Sequence, residues 1–394
     1  MKLKNLWYWC GGGAFVAAST VFFVGNAPDS GASEVPLPLP VLKLDLRETT
    51  VSGISSGGFM AVQFGVAHSA KVKGVAVTAG GPYLCVDENN WGNLGALVAM
   101  TRCMKSDPQN PLEAITAADL ARMAAATRAF AAAKAIDPVE NLKRQQVWLF
   151  HGTNDDTVRR PVSDALFKYY QAFVPEAQIF YQHDLPAGHA QISAACREKA
   201  CNAECSTTKS PYINVCMQNG VAYDAAGSAL QQFYGPLTHV ANPTGKLLAF
   251  DQSPYVEGDP EAISLAKTGY LHVPQDCAAE QGNTCRLHVV FHGCEQSAEQ
   301  LGTTFVENAG VNEWADANRI VVLYPQLESS DFMPVNPKGC WDFWGYNDAL
   351  PDGRYATRDG RQIAAVWKMA EALAGKQPEA SADFQTRGVA SAPK

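Results

Sequence analysis

The sequence predicts an α/β fold built on a buried, mostly parallel sheet, and three observations predict it. Short apolar runs rich in β-branched residues recur at 72–80 (VKGVAVTAG), 146–152 (QVWLFHG), 177–189 (AQIFYQHDLPAGH), 286–293 (RLHVVFHG) and 319–326 (RIVVLYPQ). Continuous apolar runs of this length, without strict alternation, read as strands covered on both faces. Helical patterns separate them, at 58–70, 111–134, 299–317 and 359–373. Finally, 394 residues with 47% hydrophobic content are enough to bury a large core.

At the start of the chain, Lys2 and Lys4 precede an apolar stretch from Leu6 to Val24, and Gly25, Asn26 and Ala27 supply the small residues that a signal peptidase reads. Residues 1–27 are expected to be a secretory signal cleaved after Ala27. The alternative is an uncleaved membrane anchor, because the stretch approaches spanning length. The Pro-rich lead 28–43, with Pro36, Pro38 and Pro40, reads as an extended tether. Residues 44–374 are expected to form a single catalytic domain. The end, 375–394, is poor in aromatic and β-branched residues and reads as a disordered tail.

Cysteine usage agrees with export. There are eleven cysteines, and loss of Cys10 with the signal leaves an even set. In an exported enzyme such a set forms disulfides rather than metal sites. Local pairs Cys85–Cys103, Cys205–Cys216 and Cys277–Cys285 are expected, although sequence does not set connectivity. Cys201 and Cys205 lie four apart, but no Cys/His cluster completes a zinc site, so neither metal nor cofactor is expected. With 31 basic and 39 acidic side chains and no basic run, the chain offers no nucleic-acid surface. A monomer is expected, secreted to the periplasm or medium, free of the membrane after cleavage, with an uncharged substrate.

The stretch VSGISSGGFMAV, 51–62, carries the chemistry. Gly53 to Gly57 matches G-x-S-x-G centred on Ser55, between a strand-like RETTVSG and a helix pattern. In a nucleophile elbow the serine sits on a strained strand-to-helix turn that flanking glycines make passable. Many such pentapeptides are plain Gly/Ser loops, so the partners decide. In HGTNDDTV, Asp155 follows a strand and is the candidate acid, preferred over the adjacent Asp156. In LPAGHAQ, His189 follows the next strand and is the candidate base, preferred over His183, which lies in or at the end of the strand. The order Ser, Asp, His is that of the α/β-hydrolase fold. One oxyanion donor is expected at the Ser56 N–H. The other normally comes from a loop before the nucleophile, but too little chain precedes Ser55. VVFHGCEQS, after His189, offers it instead at the Cys294 N–H. The expected fold is thus a circularly permuted α/β-hydrolase.

The strings GISSGGFMAVQF, HGTNDDTV, AGHA, CSTTKSPYINVC, YDAAGSALQQFYGPL, TGYLHVPQDC, VVFHGCEQS and NPKGCWDFWGY resemble the polyhydroxyalkanoate depolymerases, specifically the secreted short-chain type with a type 2, circularly permuted catalytic domain. The likeness runs from about Leu44 to about Leu373. It implies hydrolysis of poly(3-hydroxybutyrate) or its oligomers, with Ser55, Asp155 and His189 as triad and the amides of Ser56 and Cys294 as oxyanion hole. It also implies an aromatic at the cleft, here Trp341 with Asn336 nearby, while Trp344 is assigned to packing. A Cys294–Cys340 disulfide would tie the oxyanion loop to that aromatic segment. Unlike many such enzymes, the sequence shows no linker and polymer-binding domain, and the resemblance gives no role to the extra cysteines around Cys196 and Cys201. Two rivals remain: another exported esterase, such as one releasing acetyl or feruloyl groups, and a non-catalytic hydrolase relative that only binds.

Overall fold

In the computed structural model, residues 36–86, 94–110, 112–196, 199–347 and 353–376 are described. The expected signal and nearly all of the expected tail lie outside them. An eight-stranded sheet organises the rest. Its strands are β1 (Thr49–Ile54), β2 (Val72–Thr78), β3 (Gln146–Phe150), β4 (Ile179–Gln182), β9 (Lys246–Asp251), β10 (Thr268–Val273), β11 (Arg286–Phe291) and β12 (Ile320–Tyr324). The numbers between belong to two-residue strands, Gln191–Ile192 (β5), Ile213–Asn214 (β6), Met217–Gln218 (β7) and Val221–Ala222 (β8).

The spatial order is β4-β3-β2-β1-β11-β12-β10-β9. Every ladder from β4 to β12 is parallel, and β10 runs antiparallel to both of its neighbours. This is the α/β-hydrolase sheet entered in the middle: the first strand of the chain is central, and the last four complete the opposite half. The central strands are almost wholly buried, as β11 and β12 require with helices on both faces.

Helix α1 (Ser56–Ala67) is buried at every residue. A helix that is apolar all round belongs inside, and α1 packs against β1, β2 and β11. With it lie helices Arg160–Gln171 and Arg361–Leu373, forming one core. Helix Ala225–Tyr234 and the short helices Thr304–Asn308 and Asn312–Ala317 cover the other face.

Several elements differ from expectation, each for a local reason. The Ala-rich helix starts at Ala117, not 111, because Thr116 and Asp119 form a capping box. The pattern at 299–317 is three short helices, not one, because Gly302 and Gly310 adopt φ of 57° and 84° and end turns there. The described part of the Pro-rich lead is not a tether. Leu37 pairs with β9, through its N–H to Ala249 O at 3.2 Å and Asp251 N–H to its carbonyl at 2.9 Å, and Leu39 and Leu42 are buried. No helix among the described residues is long and apolar enough to cross a membrane.

Candidate active site

Strand β1 ends at Ile54 and α1 begins at Ser56, leaving Ser55 alone to make the turn. It does so at φ 57° and ψ −125°, a strained conformation for a residue with a side chain. Its N–H donates to Thr78 O at 3.0 Å, and its carbonyl accepts from the Phe59 N–H at 3.0 Å. The flanking glycines answer a demand for space. A Cβ on Gly53 would stand 2.1 Å from Gly57 O, and one on Gly57 would stand 2.3 Å from the carbonyl oxygens of Phe291 and His292.

Asp155 follows β3. Its Oδ1 accepts from the N–H groups of Thr157 and Val158 at 2.9 and 3.0 Å, which fixes the carboxylate plane. Its Oδ2 lies 2.7 Å from His189 Nδ1, and both side chains are buried. With Asp155 ionised, Nδ1 carries the proton and Nε2 is free to act as a base. Asp156 points to solvent, and His183 sits at the surface against Arg160 Nη2, 3.0 Å away. Neither rival joins the pair. Among the described residues Ser55 Oγ makes no hydrogen bond to His189. Such contacts often tighten only when substrate binds.

The His189 loop rests on a disulfide-stapled segment that sequence reading left without a role. Gly188 N–H donates to Cys205 O at 2.9 Å, and His189 N–H donates to Thr208 Oγ1 at 2.8 Å. A Cβ on Gly188 would stand 2.5 Å from the carbonyl oxygens of Ser206 and Thr207. Disulfides Cys205–Cys216 and Cys196–Cys201 bind that segment together. The remaining pairs are Cys85–Cys103, Cys277–Cys285 and Cys294–Cys340.

The HGC loop comes to the elbow after β11. A Cβ on Gly293 would lie 3.4 Å from Ser55 Cβ, so the two turns touch. Two side chains, His292 and Gln296, hold this loop. Leu327 N–H donates to His292 Nε2 at 3.2 Å, so the proton is on Nδ1, which donates to Gly293 O at 2.7 Å. Burial keeps His292 neutral, with a pKa lowered to about 4. Gln296 accepts from Gly293 N–H at 2.8 Å and donates to the carbonyls of Pro211 and Tyr212. Tyr212 O in turn accepts from Gln191 N–H, so Gln296 links the HGC loop to the His189 loop. The N–H groups of Ser56 and Cys294 have no protein acceptor among the described residues.

Trp341 and Asn336, the residues expected at the substrate cleft, are both buried. Trp341 is 0% exposed and packs its ring on Phe291 and His292, at 4.9 and 5.6 Å between centroids. The Cys294–Cys340 bond and a hydrogen bond from its N–H to Ser56 Oγ draw it under the elbow. Trp344, assigned to packing, is the more accessible of the two. Asn336 is buried, and its amide spans the Cys340 N–H and carbonyl, a framework role. Three apolar side chains the sequence reading passed over stand out on the same segment: Phe332, Met333 and Val335, at 84, 87 and 55% exposed.

A second Ser–His pair is structural. Ser52 Oγ lies 2.8 Å from His288 Nε2, and Thr50 Oγ1 lies 2.7 Å from Nδ1. Burial pushes His288 down to about 3, and hydroxyls rather than a carboxylate flank it. It serves to satisfy polar groups between β1 and β11.

No protein-family model matches the chain. It is 40% identical over 346 residues to the poly(3-hydroxybutyrate) depolymerase of Delftia acidovorans, a match covering 86% of this chain and 62% of that protein. It is 34% identical over 348 residues to the polyhydroxybutyrate depolymerase of Talaromyces funiculosus, covering 85% of this chain and 92% of that one. The crystal structure of PHB depolymerase from Penicillium funiculosum superposes with a TM-score of 0.72 at 30% identity, covering 86% of this chain and all of that one. A serine-to-alanine PHB depolymerase complexed with R3HB trimer gives the same TM-score, identity and coverage.

Proposed function

Because the chain belongs to the polyhydroxybutyrate depolymerase family, we propose that it is an exported serine esterase that cleaves poly(3-hydroxybutyrate) or its oligomers through an acyl-enzyme. The chain spans 62% of the length of its Delftia relative, so the proposal concerns the catalytic domain. The carrying observation is the buried 2.7 Å contact between Asp155 and His189, on loops that follow the neighbouring strands β3 and β4 of the sheet whose strand β1 leads into Ser55.

In this reading His189 Nε2 takes the proton of Ser55 Oγ as the oxygen attacks the ester carbonyl. The N–H groups of Ser56 and Cys294 hold the oxyanion; losing one such donor costs about 10²–10³ in rate. His189 returns the proton to the departing hydroxyl end. Water, deprotonated by the same imidazole, then releases the hydroxyacid from Ser55. Asp155 keeps the proton on Nδ1 throughout. The exposed Phe332, Met333 and Val335 suit contact with an apolar solid, and the signal-like start and five disulfides suit an exported enzyme.

Side-by-side assays on hydroxybutyrate oligomers, amorphous polymer and feruloyl or acetyl sugars test this, with Ser55→Ala as control. Release of hydroxybutyrate products that disappears in the variant is expected. Cleavage of sugar esters alone would transfer the site to another esterase class.

A further inference from the structure

The second serine of the elbow is tied into the oxyanion loop. Ser56 is 1% exposed, and its Oγ accepts from the Trp341 N–H at 3.2 Å and lies 3.4 Å from Cys294 Sγ. Trp341 directly follows Cys340, which is bonded to Cys294 with Cα atoms 4.3 Å apart. The contacts close a small ring: Ser56 to Trp341, Cys340, across the disulfide to Cys294, and back to Ser56. Both N–H groups assigned to the oxyanion belong to members of that ring. The other anchors of the loop, Glu295 N–H on Lys338 O at 2.8 Å and Gln296 on Gly293 N–H, hold the loop without touching Ser56 itself.

Resting on the acyl-enzyme reading above, we infer that the Ser56 hydroxyl is a positioning group that sets the spacing of the two oxyanion donors. A group of this size that accepts from an N–H is required there. Alanine would leave the buried Trp341 N–H unpaired, and the segment would shift to relieve it. The oxyanion exists only in the tetrahedral states, so a spacing error raises the barrier without weakening the hold on the planar ester.

The test compares Ser56→Ala and Ser56→Thr with wild type on a soluble hydroxybutyrate oligomer, with an alkyl boronic acid as the tetrahedral probe. For Ser56→Ala, kcat is expected to fall about 10- to 100-fold, since a misplacement of about 1 Å costs about that much. KM should stay within about twofold, and boronate affinity should fall in step with kcat. Ser56→Thr keeps the acceptor oxygen and should recover most of the loss. The double variant Cys294→Ala/Cys340→Ala opens the ring at its other link and should show the same split. Unchanged kcat and boronate affinity in Ser56→Ala, or a raised KM at unchanged kcat, overturns the inference. So does unchanged boronate affinity in the double variant, which decides the matter if Ser56→Ala does not fold. An inactive wild type would overturn the acyl-enzyme reading itself, and is distinguished by its own assay.

Discussion

Asp155 Oδ2 lies 2.7 Å from His189 Nδ1, across 34 residues of sequence, and the other carboxylate oxygen is already held by two backbone N–H groups. One oxygen fixes the acid and the other fixes the base. Asp155→Asn keeps the turn, because an amide oxygen still accepts from Thr157 and Val158, but it no longer dictates the imidazole tautomer. Its kcat is expected to fall about 10⁴-fold with little change in melting temperature. Steady-state turnover of a soluble oligomer together with a thermal melt checks this, and a loss under tenfold would remove Asp155 from the triad.

The Cys205–Cys216 staple acts through Gly188 and Thr208 on the His189 backbone. Replacing both cysteines by alanine is expected to cost about 2–3 kcal/mol of stability for a loop this short. Activity well below the melting transition should also drop several-fold, since the base loses its anchor. Activity equal to wild type in the folded variant would make the staple purely structural.

Phe332 and Met333 project on a loop closed by the Ser330–Asn336 pair, on the segment that leads to Cys340. The double change Phe332→Ser/Met333→Ser removes apolar area worth about 1.5–3 kcal/mol per side chain when fully covered. Turnover of soluble oligomers should be unaffected, while adsorption to and turnover of insoluble polymer fall. Equal losses on both substrates would place the loop in the cleft rather than on the solid.

Asp119 gives a pH prediction. Burial opposes its ionisation, but hydrogen bonds from Arg102 and Thr116 outweigh that and hold its carboxyl at about 2, against an ordinary 3.8. A depressed folded value means the stabilisation is present above the unfolded value and is lost as pH falls through the folded one. Wild type should therefore lose stability between about pH 4 and pH 2. Asp119→Asn should be weaker at neutral pH by about 3 kcal/mol, because it leaves Arg102 buried without its partner. Its stability should change less across the acid window. Denaturant melts at several pH values measure both, and parallel curves would exclude Asp119 as the source.

What the sequence made legible follows physical range. The buried central strands and the G-x-S-x-G turn carry local signals, so β1, β2, β3, β11, β12 and Ser55 could be read directly. The strands β9 and β10, at one edge, have mixed burial and lack the continuous apolar run, so they went unread as strands. Asp155 and His189 could be picked because each follows a strand. Gln296, Thr208 and the Ser56 hydroxyl act across loops that meet only in three dimensions, and spacing along the chain carries no trace of that. Trp341 shows the limit most clearly. An aromatic beside a catalytic loop reads equally as cleft wall or as core, and its burial against the elbow shows only in three dimensions.

The most direct measurement of the central claim is peptide mapping after reaction of the folded protein with a serine-directed phosphonate. A single adduct on Ser55, formed in wild type and nearly abolished in His189→Ala, is the predicted result. An adduct on Ser56, or none on Ser55 while ester hydrolysis continues, would contradict it.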